Sequence, residues 1–451
     1  MKKIFLSVVG FSLLCRLNTY SQIKPDSTVN KPALGLSAPA DRHDSSAYNP
    51  RRLRIDEIDF VSSYYGQTGD HSTVTGDNPN FLGNGVFTNS VKVTDISNGL
   101  DLKLVWLNKA LNKNTLSAGL GFDYHTAASQ AYVSATGASK TTGTRIYPSL
   151  DWTAENAKNG STFGIGTYYS GEYNYKSLGA DAHFSVKTDN KMGEFSAKLQ
   201  GYFDHVTLIY PSEFIPNTTT TTTGTTTVVT TASGSTISTS ADGETIHHHA
   251  NIPSSPRNTY SASFSYSQII NSRLQIMFLG DVVTQNGYLG LPFHRVFFSN
   301  GKDTIEKLPS SRFKLPVGFR ANYFLGDNII LRAYYRYYAD DWGIRSNTIG
   351  LEVPYKITPF FSISPFYRFY SQSASTYFAP FEAHSPTDEY YTSNYEYAKF
   401  DSQFFGIGFR VAPPNGVFGW QGLHEMEIRY GHYTQTTDLV SDVVSISLGF
   451  K

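Results

Sequence analysis

The sequence has one cysteine, Cys15, and it lies near the N-terminus. Neither charge sign is in excess: Lys and Arg total 37, and Asp and Glu total 37. Beyond the first residues it has no continuous apolar stretch of the roughly 18–20 residues that a membrane-spanning helix needs. It also lacks local catalytic signatures such as GxSxG or HExxH. Each absence excludes something. Balanced charge gives no basic surface for nucleic acid and no polyelectrolyte partner. Without long apolar runs, only closed β-structure can satisfy a backbone inside a bilayer. Without signatures, nothing points to an enzyme or a cofactor. Phe203-Asp204-His205 reads as a chance grouping.

Residues 1–21 read as a signal peptide. Lys2 and Lys3 precede an apolar segment, Ile4 to Leu14, and the small residues Thr19 and Ser21 place cleavage before Gln22. Leu13 and Leu14 are too bulky for a lipoprotein signal at Cys15. The mature chain then has no cysteine, so disulfides, thiol nucleophiles and thiolate metal sites are unavailable. Residues 22–53 are polar, with Pro25, Pro32, Pro39 and Pro50, and read as a flexible periplasmic lead-in.

From Arg54 the pattern is period-two alternation in stretches of ten residues or more, about twice the usual soluble strand. In Phe313–Tyr323, Phe313, Leu315, Val317, Phe319 and Ala321 alternate with Lys314, Gly318, Arg320 and Asn322. Aromatics are 15% of the chain while hydrophobic residues are only 40%, which suits a wall with one lipid face and one polar face. The spacing predicts a transmembrane antiparallel β-barrel over 54–451. About 16 strands are expected, with 14 or 18 as alternatives, at 54–67, 98–108, 115–126, 145–155, 161–172, 175–187, 193–209, 258–270, 273–285, 312–325, 328–339, 345–357, 360–373, 397–411, 424–434 and 441–450. Long connections (68–97, 127–144, 210–257, 286–311, 374–395) alternate with tight ones, as in Asn156–Gly160 and Gly326–Asp327. Tight turns on the periplasmic side and loops outside give that alternation. Pro413–Leu423 is long for a periplasmic turn. The Thr/Ser-rich tract within about 210–257 reads as disordered. The ending Val444–Lys451 alternates and closes on Phe450, like a recognition signal for the outer-membrane insertion machinery.

Three stretches carry a family resemblance: Ile55–Gly76 (IDEIDFVSSYYGQTGDHSTVTG), Val93–Ser97 (VTDIS) and Gly287–Val296 (GYLGLPFHRV). They resemble a family of bacterial outer-membrane proteins, domain of unknown function 3570. The resemblance covers most of the chain after about residue 50. It implies a barrel and carries no assigned activity.

Strand parity places Glu57, Asp59, Asp101, Asp123, Asp151 and Asp181 inside the barrel from the first half of the chain. Arg320, Arg332, Arg336, Arg368, Arg410 and Arg429 fall inside from the second half. Opposed acidic and basic walls would shape ion selectivity. The plainer reading is an internal ion-pair network, with Glu352, Glu425 and Glu427 neutralising the arginines. His247-His248-His249 lack the spacing of a formed metal site. Asp70, Asp77 and Asp95 could offer oxygens to Ca²⁺ but follow no EF-hand spacing. Tyr64, Tyr65, Tyr168, Tyr169, Tyr337 and Tyr338 read as a membrane-interface girdle.

The function these residues point to is a channel or transporter for small solutes, surrounded by outer-membrane lipid. The alternatives are a non-conducting barrel that anchors a partner, and an outer-membrane enzyme. An outer loop such as Gly287–Phe298, with Pro292, Phe293, Phe297 and Phe298, would favour a plug if it is ordered. An enzyme would need hydroxyl, imidazole and carboxylate groups within hydrogen-bond reach of each other.

Overall fold

The computed structural model describes residues 53–69, 91–126, 142–172, 174–208 and 254–451, and four short strands between 219 and 248. The signal peptide, most of the lead-in, and Asp70, Asp77 and His249 lie outside the described residues. So do 70–90 and 127–141, most of the first two long loops.

The strands are β1 (Arg54–Gly69), β2 (Val91–Leu107), β3 (Lys113–Thr126), β4 (Thr142–Glu155), β5 (Thr162–Glu172), β6 (Tyr175–Lys187), β7 (Gly193–Thr207) and β8 (Ser254–Asn271). They continue as β9 (Leu274–Gly287), β10 (Ser311–Leu325), β11 (Ile329–Asp340), β12 (Arg345–Glu352 with Tyr355–Thr358), β13 (Phe361–Gln372), β14 (Phe400–Val411), β15 (Leu423–Gln435) and β16 (Leu439–Phe450). Each pairs antiparallel with its neighbours, and β1 pairs with β16 from Ile58↔Phe450 to Thr68↔Val440, so the sheet closes on itself. The count is 16. In β12, Val353-Pro354 interrupts the ladder, as expected of a residue with no N–H to donate.

Closure divides the side chains into two sets. Leu120, Phe122 and Tyr124 of β3, Leu199 and Phe203 of β7, Phe313, Leu315 and Val317 of β10, and Val444 and Ile446 of β16 are all exposed, and all share the outer face. An apolar outer face around a closed sheet is stable only against hydrocarbon. Among the described residues no helix is long and apolar enough to cross a membrane. The crossing elements are strands, in the architecture of an outer-membrane β-barrel.

Four of the tight turns rest on asparagine. Asn108 Oδ1 accepts from the Ala110 and Asn112 amides at 2.9 and 3.0 Å, Asn156 Oδ1 from Lys158 at 2.9 Å, Asn190 Oδ1 from Met192 at 3.0 Å, and Asn271 Oδ1 from Arg273 at 2.9 Å. A short side chain that imitates a backbone carbonyl closes a two- to five-residue turn.

Among strands and loops, the structure differs from the sequence expectations most clearly in two places. The strand β2 begins at Val91, seven residues before the expected 98, and its pairing with β1 continues to Gly69↔Val91. Within the Thr-rich tract, Thr219–Thr223, Thr226–Thr230, Thr236–Thr239 and Thr245–His248 form a four-stranded antiparallel sheet, where composition suggested disorder. β-Branched Thr and Val favour extended pairing even without a hydrophobic core.

Candidate functional site

On β4–β7 the outward residues Leu150, Ile165, Leu178 and Leu199 fix the opposite parity as luminal. Cross-strand register then sets luminal residues in rows. Asp151 is opposite Gly166, Gly166 opposite Asp181, and Asp181 opposite Gln200. One step further, Thr153 is opposite Gly164, Gly164 opposite His183, and His183 opposite Lys198. Because β5 contributes only glycine to both rows, side chains of β4 and β6 meet across it. A Cβ on Gly164 would lie 2.2 Å from His183 Nε2, and one on Gly166 would lie 2.4 Å from Asp181 Oδ2.

The result is a hydroxyl–imidazole–carboxylate relay. His183 Nδ1 lies 2.9 Å from Asp181 Oδ1, and His183 Nε2 lies 3.1 Å from Thr153 Oγ1. The carboxylate favours the Nδ1–H tautomer, which leaves Nε2 to accept from the hydroxyl. Asp151 joins with Oδ2 at 3.8 Å from His183 Nδ1 and Oδ1 at 3.1 Å from Thr153 Oγ1, so Asp151 and His183 Nε2 compete for the one hydroxyl proton. Asp151, Asp181 and His183 offer ligand atoms within 4.8 Å of one another, in the donor mix a divalent transition metal takes. Asp181 Oδ2, however, already accepts from the Tyr168 hydroxyl and lies 3.3 Å from Lys198 Nζ, so this ammonium supplies the countercharge.

The same grouping recurs around the wall. Tyr147 donates to Asp123 at 2.8 Å, with Arg145 at 3.9 Å from that carboxylate and 4.9 Å from the Tyr147 ring. Tyr168 donates to Asp181, with Lys198 5.3 Å from its ring. Tyr175 donates to Asp204 at 2.5 Å, with Arg257 at 3.2 Å from the carboxylate and 5.0 Å from the ring. Tyr338 donates to Asp340 at 2.6 Å, and Arg312 Nε does so at 2.9 Å. In each unit the phenol satisfies carboxylate lone pairs, and in the first three the cation also stands over the ring that donates.

The twelve charged residues singled out in the sequence all share the luminal parity. Glu57 lies opposite Lys103, whose Nζ is 3.9 Å away, and Asp59 lies directly opposite Asp101. On the basic side, Arg410 makes a two-bond contact with Glu425 at 2.8 and 2.7 Å. Arg429 contacts Glu352 at 3.2 Å and Glu427 at 2.9 Å, and Arg332 reaches Glu352 at 3.7 Å. Arg336 is 3.9 Å from Asp281, Arg320 stands 5.3 Å from the Tyr334 ring, and Arg368 stands 5.0 Å from that of Phe404. Much of the plainer network reading is therefore present. Carboxylates still outnumber cations among the luminal residues of β1–β7, with Asp95, Glu155, Glu172, Glu194 and Asp204 adding to the six expected. Cations outnumber carboxylates on β10–β15, where Arg312 and Lys314 add to the arginines.

The tyrosine girdle needs correction. Tyr64 and Tyr169 face outward, 48% and 43% exposed, but Tyr65 is buried on the luminal side, and Tyr168 and Tyr338 bond luminal aspartates. Neighbours in a strand point to opposite faces, so each Tyr-Tyr pair supplies one ring to each. Sequence reasoning missed Thr153, His183 and Lys198. The signal was there in the two same-parity glycines, Gly164 and Gly166.

A second constellation sits at the outer end. The β9–β10 and β13–β14 loops fold against each other. Lys307 and Tyr391 exchange backbone hydrogen bonds at 3.1 and 2.8 Å, and the Ser299 amide donates to the His384 carbonyl at 2.9 Å. Val296, Phe297 and Phe298 are buried, as are His294, Arg295, Thr392 and Asn394. Trp342, 1% exposed in the β11–β12 turn, packs against Leu289, Ile344 and Tyr397. This loop pair rests on luminal side chains: Arg312 stands 4.4 Å from the Trp342 ring and 5.5 Å from that of Tyr397, and Gln372 donates to the Glu396 and Ala398 carbonyls at 3.0 and 2.6 Å. Buried between the loops, Glu306 accepts from the Thr392 hydroxyl at 2.7 Å and from the Leu291 amide.

The chain is similar to several solved structures. OccAB3 of Acinetobacter baumannii is 11% identical with a TM-score of 0.33, over 87% of this chain and 98% of that one. OprD, an outer-membrane protein of Pseudomonas aeruginosa, is 9% identical with a TM-score of 0.35, over 87% and 93%. The siderophore receptor PirA of Acinetobacter baumannii is 7% identical with a TM-score of 0.40, and the match spans 84% of this chain but 53% of the receptor. No curated protein matches the sequence. The family described as protein of unknown function (DUF3570) matches residues 56–442, and the chain belongs to it.

Proposed function

We propose that the protein is a channel or transporter of the outer membrane that passes small polar solutes through a charge-asymmetric lumen. Signal-peptide-directed export would bring it there, and the strand ending at Phe450 would engage the insertion machinery. The observation that carries the reading is the arrangement of luminal charge around a closed ring. The carboxylate-rich arc β1–β7 is centred on β4, and the cation-rich arc β10–β15 is centred between β12 and β13. In a ring of 16 strands these centres lie about half a circumference apart. Opposed arcs of this kind place a transverse field across the solute path. The loop Gly287–Phe298 is ordered against the β13–β14 loop, the feature named above for a plug, so the aqueous path of a barrel this size is the part that this loop pair leaves free. Solute-driven swelling of liposomes holding the folded protein tests the reading. Swelling rates that fall with solute size support it, and rates equal to protein-free liposomes refute it.

One observation favours a second reading, an acyl-transfer enzyme. Thr153, His183 and Asp181 have the spacing of a nucleophile, base and orienting acid. A fluorophosphonate adduct on Thr153 that disappears in His183→Ala would support it. Its absence from the folded wild type would remove that reading.

A further inference from the structure

The outer loop pair is joined by a buried carboxyl. Glu306 is 4% exposed, and its two oxygens are used differently. Oε1 accepts from the Leu291 amide of its own loop, and Oε2 from the Thr392 hydroxyl of the facing loop. Gly290 leaves the space it needs, since a Cβ there would lie 3.3 Å from Oε1. Its cross-strand neighbour is His294, whose carbonyl accepts from the Glu306 amide at 2.9 Å, with Arg295 next to it opposite Ile305, and both are fully buried. The other charged and titratable groups around it offer little compensation for a negative charge. From the facing loop come Glu396, of like sign, and Tyr397. From the barrel comes Arg312, which is engaged by Asp340. On its own loop the neighbouring Lys307 turns its ammonium over the Tyr390 ring at 5.5 Å. The facing His384 is occupied by Asp388 at 3.2 Å and by the Thr392 carbonyl at 3.0 Å.

We propose that Glu306 is a proton-dependent latch: neutral, with the proton on Oε2 donated to the facing Thr392 Oγ1 and Oε1 still accepting from Leu291, it holds the β9–β10 and β13–β14 loops together over the outer rim, and ionised, it releases them. Burial pushes the Glu306 carboxyl up to about 7, against the hydrogen bonds from Thr392 and Leu291, with Glu396 adding to the rise. The direction of the pH effect follows. In the released state the carboxyl is hydrated and titrates near the ordinary value of about 4.3. Below that pH both states are neutral and the loops are fully held. As pH rises from there towards 7, only the released state loses its proton, so the balance moves towards release. Above 7 both states are ionised and the loss is complete. A difference of this size between the two states corresponds to a factor of about 10² or more in the held-to-released ratio.

Hydrogen exchange of the full-length protein, folded in lipid nanodiscs and compared at pH 5 and pH 8 after correction for intrinsic rates, tests the latch. The expected result is that amides of 288–310 and 374–399 lose protection by about 10²-fold at pH 8 while those of β1–β16 do not change. Glu306→Gln keeps an acceptor oxygen but cannot ionise, so its loops should be equally protected at both pH values. Thr392→Val removes one bond of the latch and should lower protection already at pH 5. Equal protection of wild-type loops at both pH values overturns the proposal, and so does a pH dependence that survives in Glu306→Gln. That the latch governs passage rests on the channel reading. If exchange behaves as stated but solute flux is the same at both pH values, the latch stands and its role in transport does not.

Discussion

Gly164 and Gly166 show how a residue with no side chain builds a site. Their places in the β5 rows are filled by His183 and Asp181 from β6, and a Cβ at either position would overlap them at 2.2 or 2.4 Å. Gly164→Leu should therefore push His183 off Thr153 and cost about 1–3 kcal/mol of stability by overpacking. A lowered midpoint of heat-induced unfolding in detergent checks this, and an unchanged midpoint would mean the cluster is loose. Lipid-facing positions obey the opposite logic. Leu199→Arg puts a charge against hydrocarbon, at a cost of about 2–4 kcal/mol near the midplane. The adjacent Gln200→Arg faces the lumen and should cost much less, and refolding yields of the two variants compare them. Parity alone made the twelve luminal charges legible in the sequence, because period-two alternation needs no long-range information. It could not show which charges touch. The Thr153–His183 contact depends on the register of β4, β5 and β6 together, and single-strand patterns do not encode register.

At the scale of elements, strands were legible and loops were not. Alternation located all the barrel strands, and most boundaries lie within three residues of those expected. The early start of β2 follows its pairing with β1 as far as Gly69↔Val91, a register that the pattern of one strand does not show. The outer loop pair has no periodicity to read, since its core is assembled from Leu289, Trp342, Ile344 and Tyr397 in three separate connections. Only the apolar character of Gly287–Phe298 hinted at order. Trp342 is the element that ties these connections to the rim, through its stacking with Arg312 and its bond to the Ser311 carbonyl at 2.9 Å. Trp342→Ala should cost the loop pair about 3–5 kcal/mol, in the range of buried Trp truncations. Limited proteolysis should then cut within 288–310 and 374–399 while the β-content of the barrel is retained. Resistance equal to wild type would show that the loops hold together without it.

For the whole molecule, the ring of strands converts chain order into position: the first seven strands make one wall and the tenth to fifteenth make the facing one. Local pairing with tyrosine and counter-ions takes up part of each wall's charge and leaves an excess, so the proposed charge-asymmetric lumen is compatible with the ion-pair network. Arg332 and Arg336 carry part of the basic excess with modest partners, at 3.7 Å from Glu352 and 3.9 Å from Asp281, and their side chains are 38% and 43% exposed. Replacing both with Glu should leave a folded, heat-modifiable barrel. The most direct measurement of the account is single-channel recording in a planar bilayer, with reversal potentials in a salt gradient, for wild type and for Arg332→Glu/Arg336→Glu. The account predicts stable conductance steps from the wild type and a reversal potential displaced towards cation preference in the variant. A folded wild-type barrel that passes no current, or a variant with an unchanged reversal potential, would contradict it.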